Sequence, residues 1–229
     1  PCAKSKPIIR FCVRSTTSTC FLFKRVTTPL TLYIDLASAD PLFGLVHDDT
    51  VRLKHLTHSK NDATILPVLA SLLEEDNVTW KEIDRIALVT GPGGFMSIRV
   101  GAALANALSF SLGIPSGGIH MSDVWRARVP RDSSYLWLHS TKRTHLFTRG
   151  IGMKKAADEE PALMTIEECR ATVQAGAWYA GDLLPEHEAM LGVKRYPHMS
   201  TLERVLPAML ANITYEKGRM LQPWYGRGA

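Results

Sequence analysis

The stretch VTGPGGFMSIRVGAALANALSFSLG (Val89–Gly113) leads from an apolar strand through a glycine-rich turn into a long helix of mostly small or apolar residues. Such a turn can bind a phosphate, because glycines let backbone N–H groups approach an anion and the helix N-terminus favours negative charge. The chemistry of a Walker loop is incomplete here, since the lysine is missing and Pro92 removes a backbone donor. The turn therefore fits either a phosphate cradle or a packing device.

The helix after the turn has two contrasting faces. One row, the predicted core face, consists of Val100, Leu104, Leu108 and Leu112. The opposite side has a single charge and consists of Arg99, Ala102, Ala103, Asn106, Ser109 and Phe110. A helix that covers a sheet normally shows water a charged face, so we expect a second element to cover this side. That element is either another part of the chain, such as a helix at 64–75, or a partner protein.

The pattern along the chain predicts an α/β fold. Three short β-rich runs between residues 31 and 56 predict an antiparallel meander. Helix-period and strand-period runs then alternate and give the order βββαβαβα, which makes a mixed sheet covered by helices. In the helix at 64–75, Pro67 is tolerated because it falls in the first turn. We expect this domain to occupy residues 30–129.

A smaller second α/β domain is expected over residues 130–229. It should contain a hairpin, a capped helix that begins at Thr165, and a strand that ends near Asp182. Ser200 and Glu203 have the spacing of a capping box for the last helix. The terminal LQPWYGRGA predicts a short closing strand.

Charge and cysteine content narrow the class of protein. The net charge of +5 suggests a nucleic-acid partner, but residues 1–29 hold six basic residues and no acid, and the other 200 residues are nearly neutral. Three of the four cysteines also lie in residues 1–29, so only Cys169 remains and no disulfide framework is available. We expect a basic leader over 1–29, disordered or not native, and a cytoplasmic protein without a membrane span; organellar import by the leader is the alternative.

Few other residues suggest chemistry. His55 and His58 could bind one metal if their segment were helical. They lie at the end of a predicted strand, where side chains at this spacing point to opposite faces, so we interpret them as surface histidines. Asp35 ends the first strand, where a carboxylate can hold a metal or orient a ligand. Asp182 has the same position in the second domain and could equally cap the following helix.

These residues together resemble a known family. LYIDLAS before the meander, HSKNDATILPVLASLL, DRIALVTGPGGFMSIRVG and the terminal PWYGRGA are similar to the TsaB family, also called YeaZ. Its usual GPGSFTGxRxG corresponds here to Gly91–Gly101. The family belongs to the actin-like ATPase (ASKHA, ribonuclease H-like) superfamily, so the resemblance implies a mixed sheet with a βββαβα core.

The resemblance implies an accessory role in making N6-threonylcarbamoyladenosine in tRNA. TsaB-like proteins are not the catalyst: they pair with the paralogue TsaD, which holds metal and nucleotide, and TsaE is a third, ATPase partner in bacteria. We therefore expect a non-catalytic chain that requires no cofactor, retains at most weak nucleotide binding, and meets tRNA only through the complex. A homodimer of the isolated chain remains open, as do two alternatives, a nucleotide-dependent transferase or hydrolase and a direct tRNA-binding module.

The resemblance also implies site residues. The family's dimer interface uses two helices that correspond here to about 62–75 and 97–112. The candidate interface residues are Ile65, Leu69, Leu72, Arg99, Ala102, Ala105, Asn106 and Ser109. The candidates for a degenerate nucleotide site are Asp35, Ser38, Gly91, Gly93 and Gly94. This second site departs from the family pattern, because its DTS motif has lost the threonine and its DAR motif corresponds to HSTKR at 139–143.

Overall fold

The computed structural model describes residues 28–56, 62–142, 144–152 and 161–226. In these residues the element order βββαβαβα occurs twice. The first half contains β1 (Thr31–Asp35), β2 (Leu42–His47), β3 (Thr50–His55), α1 (Ile65–Glu75), β4 (Arg85–Gly91), α2 (Phe95–Leu112), β5 (Ser116–His120) and α3 (Met121–Arg128). The second half contains β6 (Tyr135–Lys142), β7 (His145–Ile151), β8 (Ala162–Thr165), α4 (Ile166–Thr172), β9 (Trp178–Asp182), α5 (Pro185–Leu191), β10 (Lys194–Arg195) and α6 (Leu202–Ala211).

Each half is built on one mixed sheet. The strand order is β3-β2-β1-β4-β5 in the first sheet and β10-β9-β6-β7-β8 in the second, so the two sheets have the same topology. The meander strands pair antiparallel, whereas β4 and β5 join parallel to β1. This is the α/β, actin-like arrangement predicted from the sequence. The second half is smaller in its helices, because α4 and α5 have 7 residues each against 11 and 18 in α1 and α2.

Successive side chains along each strand face opposite sides of the sheet and so contribute to three separate cores. In β1, Leu32 and Ile34 face α1 and α2, whereas Tyr33 faces the second half. In β6, Trp137 faces the first half and Leu138 faces α4 and α5. Helices α3 and α6 pack into the central core between the two sheets. The two halves therefore share one core, with a helix pair covering the outer face of each sheet.

Local capping follows the sequence in several places. The capping boxes at Thr79 and Thr165 are present, although the first opens a 3₁₀ turn. Helix α1 begins at Ile65, after a short 3₁₀ turn, so Pro67 lies in its first turn as predicted.

Other local predictions are wrong. The N-cap of α6 is Thr201, not Ser200, and the N-cap of α5 is Leu184, so Asp182 caps no helix. The terminal LQPWYGRGA forms no strand in its described part, because Trp224 makes a single backbone bond to Thr90 O (2.9 Å). Strands β8 and β10 are too short to have been predicted from periodicity.

Candidate functional site

The glycine turn between β4 and α2 is filled by the protein's own backbone. A Cβ added to Gly93 would lie 2.5 Å from the Ala37 carbonyl oxygen, so only glycine permits this contact with the loop after β1. A Cβ on Gly91 would lie 2.8 Å from the Trp224 carbonyl oxygen. Gly94 is exposed and forms the N-cap of α2. In this structure the turn packs closely against Ala37 and Trp224, and these contacts require glycine at Gly93 and Gly91.

Asp35 is buried at the carboxyl end of β1, and its carboxylate bonds to the turn that follows. Its Oδ1 accepts hydrogen bonds from the backbone N–H groups of Ala37 and Ser38, both at 3.0 Å. Burial raises the pKa of Asp35 to about 6, against the opposing effect of these hydrogen bonds. The Ser38 hydroxyl donates to Asp40 O (2.9 Å) and so stays within its own turn.

Polar groups from the second half meet Asp35 in the central core. Asp182 is close enough to raise the pKa of Asp35 further, and its own pKa is raised by burial. His139 Nδ1 lies 3.8 Å from Asp182 Oδ2, but burial lowers the pKa of His139 to about 4, so this histidine is neutral near pH 7. Tyr33 contributes a buried hydroxyl. The sequence pointed to Asp35 and Asp182 separately, and only the fold brings them together.

Five of the predicted interface residues lie on the inner faces of α1 and α2, so the prediction that they contact a partner is wrong. Ala105 is 0% exposed and lies under α2 against the sheet. The residues that share this buried position are Leu69, Leu72, Ala102 and Ser109. Small residues face the sheet because α2 packs closely on it: a Cβ on Gly101 would already contact Leu88 Cδ1 at 3.4 Å. These five residues belong to the core and offer no free surface to a partner.

Asn106, another of the predicted interface residues, bonds to the protein's own C-terminal tail. Its side-chain amide donates to Leu221 O (3.0 Å), and its carbonyl oxygen accepts from Leu221 N (2.8 Å). These two bonds fix the C-terminal tail, residues 213–226, to α2. Of the predicted interface residues, Ile65 is half-buried and Arg99 is exposed, so these two remain on the surface.

The outer face of α2 carries an apolar seam. Its residues recur at alternating spacings of four and three, and they are Met96, Val100, Ala103, Ala107 and Phe110. Phe110 is 90% exposed and Met96 60% exposed. Leu66 of α1 adds a side chain that is 59% exposed. Val100 is half-buried against the core beneath it, whereas the other four seam residues are exposed within the described structure. Exposed apolar side chains grouped on one helix face mark a surface for binding.

Comparisons with known proteins agree with this fold. The family model described as TsaD, tRNA N6-adenosine threonylcarbamoyltransferase, matches residues 55–148. The tRNA threonylcarbamoyladenosine biosynthesis protein TsaB of Bacillus subtilis is 29% identical over 38% of this chain and 39% of its own length. The protein of the same name from Buchnera aphidicola is 40% identical over 27% of this chain and 25% of its own length. These similarities cover less than half of the chain and of either relative, and they relate the matched part to proteins of threonylcarbamoyladenosine biosynthesis.

Solved structures of YeaZ-like proteins share the fold. A Pseudomonas aeruginosa protein described as similar to the peptidase YeaZ has a TM-score of 0.67 and 16% identity, over 87% of this chain and all of that one. YeaZ from the same organism has a TM-score of 0.61 and 16% identity, over 80% of this chain and 92% of its own. The curated TsaB relatives align over well under half of their length, whereas the YeaZ folds match nearly throughout.

The segment shared with the TsaD family model runs from the end of β3 into β7. It includes the glycine turn, α2 and the outer seam, so the similarity to the TsaD family model lies in the part of the chain that presents this surface. Asp35 and Asp182 lie outside the segment.

Histidines belong to two further residue pairs. His55 Nδ1 lies 2.9 Å from Asp40 Oδ2, while His58 falls outside the described residues. In the described part of the chain no group of three His, Cys, Asp or Glu side chains is placed to hold a metal. Ser140 Oγ and His187 Nδ1 are 2.8 Å apart, a pair that sequence order did not reveal. His187 is 0% exposed, so this pair is part of the packing in this TsaB/YeaZ fold.

Proposed function

We propose that this protein is a TsaB-like, non-catalytic subunit that activates a TsaD-type transferase during formation of N6-threonylcarbamoyladenosine in tRNA. The observation that supports this proposal is the outer seam of α2. The matching family model and the sequence relatives are both named for threonylcarbamoyladenosine formation. The proposed occupant of the seam is the TsaD-type subunit, with a TsaE-type ATPase as a further partner.

The geometry of the seam favours a helical partner. Apolar residues at alternating spacings of four and three form the seam along which two helices pack as in a coiled coil. Ala103 and Ala107 occupy its centre, and small side chains there let a second helix axis approach closely. Larger side chains, Met96 and Phe110, close its two ends. A helix of the partner laid along α2 would bury all five residues.

The helix itself is anchored well enough to serve as an interface. By length and composition alone α2 could cross a membrane. Its inner face, however, packs on β4, and Asn106 binds the tail, so α2 is integrated into the first half. Partner binding therefore needs no rearrangement of this helix.

We propose no cofactor for this chain itself. The glycine turn is filled by Ala37 and Trp224, and ATP and metal would be held by the partner subunits. Calorimetric titration with ATP and magnesium should show no binding that depends on Asp35. Tight binding that is lost in Asp35→Ala would instead favour a nucleotide-dependent enzyme. We also propose a cytoplasmic location.

Substitution within the seam tests the interface. Ala103→Arg changes an exposed residue and should leave the fold intact, but it places an unpaired charge at the centre of the contact. Affinity for the cognate TsaD-type subunit, measured by size exclusion and pull-down, should fall about 30-fold or more. Ala171→Arg on the exposed face of α4 is the matched control and should pair normally.

Several results would contradict the proposal. Wild-type chain that does not associate with the TsaD-type subunit, or that does not restore the tRNA modification in TsaB-depleted cells, would exclude the role. Normal pairing by Ala103→Arg would place the interface elsewhere. A dimer of the isolated chain that dissociates in Ala103→Arg would identify a second copy as an occupant of the same seam.

A further inference from the structure

A large groove lies along the edge strand β5, on the side of the first half away from α1. It has a volume of about 1360 Å³ and is bounded by β5, α3, β7, α6 and the C-terminal tail. Typical small-molecule pockets hold roughly 300–1,000 Å³, so this groove could take an extended ligand. Its lining includes none of the residues predicted for a nucleotide site.

Arginines from five different elements converge on the groove. They are Arg126, Arg131, Arg149, Arg204 and Arg219, and no lysine is among the described residues that line it. The acidic residues of this described lining are Asp123 and Glu216. Arginine offers a planar fork of donors that matches phosphate oxygens, unlike the point charge of lysine. The lining is therefore basic and has the donor geometry that phosphate recognition uses.

The two acids do not neutralise the groove. Asp123 pairs with Arg149, and Glu216 pairs with Arg219. The other three arginines have no ion-pair partner among the described residues, and they are Arg126, Arg131 and Arg204. Like charges gathered in one concave surface repel one another, and an anion in the groove would relieve that repulsion.

Fixed donors lie in the wall beside these arginines. Arg149 has a side chain only 15% exposed, and its Nη1 is held by Ser122 Oγ (2.7 Å) and Asp123 Oδ1 (2.9 Å). The remaining N–H groups of this oriented guanidinium donate no hydrogen bond within the described part of the chain. Its fork is thus preorganised for a further acceptor.

Tyr135 and His120 supply donors of a second kind. The Tyr135 hydroxyl is buried and has no hydrogen-bond partner in the residues described. The charges of Arg126, Arg149 and Asp123 act on its pKa. Ser122 N–H donates to His120 Nδ1 (3.1 Å), so the neutral ring carries its proton on Nε2, which also lacks a partner there. Buried donors without acceptors destabilise a fold, and an anionic ligand would supply acceptors.

We propose that this groove binds phosphoryl groups, as carried by a polyphosphate or by the backbone of a single RNA strand. The three unpaired arginines hold the phosphates, and Arg149 with the Tyr135 hydroxyl orients one of them at the wall. The site is separate from the outer seam, so it does not rest on pairing with a TsaD-type subunit.

The test uses the full chain and two probes, inorganic tripolyphosphate by calorimetry and a labelled single-stranded RNA by fluorescence anisotropy. The double variant Arg126→Ala/Arg204→Ala removes two exposed side chains and should fold normally. Its affinity for the bound probe should be lower by about tenfold or more. For RNA, the slope of log affinity against log salt should become less steep by about 1.4, since each phosphate contact contributes about 0.7 for single strands.

Arg170→Ala on α4 removes the same charge outside the groove and should bind like the wild type. Comparing variants within the full chain cancels any contribution from the basic residues at 1–29. Groove-dependent binding of tripolyphosphate identifies a small polyphosphate as sufficient, and groove-dependent binding of RNA alone identifies the strand. The proposal is overturned if neither probe binds, if the double variant binds both like the wild type, or if Arg170→Ala weakens binding equally.

Discussion

Replacing Asn106 by alanine should release the C-terminal tail from α2. The substitution removes two hydrogen bonds, from Asn106 Nδ2 to Leu221 O and from Leu221 N to Asn106 Oδ1. Leu221 is buried, so its N–H and C=O would be left without partners in the core. A buried backbone group that loses its partner destabilises by about 1–3 kcal/mol, and the tail can relax partly toward water. We therefore expect the free energy of unfolding to fall by about 2–3 kcal/mol.

Urea unfolding followed by tryptophan fluorescence measures this change, and hydrogen exchange of residues 219–226 reports the tail directly. Protection at the Trp224 amide, which donates to Thr90 O, should be lost in Asn106→Ala. Asn212→Ala is the control, because Asn212 is exposed and bonds only to Ala208 O within its own helix end. A stability within about 0.5 kcal/mol of the wild type, with a protected tail, would refute this account. Unchanged stability with lost pairing would return Asn106 to the interface.

Two further predictions concern the turn and the cluster in the central core. Gly93→Ala should lower the free energy of unfolding, measured in urea, by about 1–3 kcal/mol, because its Cβ would overlap Ala37. Gly94→Ala at the exposed N-cap should lower it by less. Equal effects of the two substitutions would contradict the close packing at Gly93. The raised pKa of Asp35 means that the folded state binds its proton more tightly, so this group loses stability as pH rises from about 4 to about 6. Asp35→Asn should gain stability relative to the wild type across that window, by about 3 kcal/mol, and a flat difference would contradict the raised pKa.

Helix α2 shows how far the sequence could define the site. Periodicity correctly separated a leucine row from a row of small residues. Because leucine is more hydrophobic than alanine, we predicted that the leucines form the core face. In the structure Ala102 and Ala105 lie against the sheet. The choice fails because close approach of a helix to β4 requires small side chains, and periodicity does not report the distance to the neighbouring strand. The leucines flank the buried face, and the outer seam lies between them and Arg99.

The partner of Asn106 illustrates a different limit. Leu221 lies 115 residues further along the chain, and no local pattern relates the two. The mixed sheet of the first half was predictable, since its strands and helices each carry their own period and turn residues. The sequence also left open whether the glycine turn is a cradle or a packing device, and only the tertiary fold shows that Ala37 and Trp224 pack against it.

The buried polar groups of the central core come from both halves. Asp35 belongs to the first sheet, Asp182 to the second, and Arg128 at the end of α3 acts electrostatically on Asp182. Burial disfavours each charge, and the two carboxylates disfavour one another, so the cluster is a weak source of stability by itself. Arg128 is the member that compensates Asp182, because its positive charge lowers the pKa of that carboxyl. A charge of the first half therefore compensates a buried charge of the second, and this pairing favours the observed placement of the two sheets.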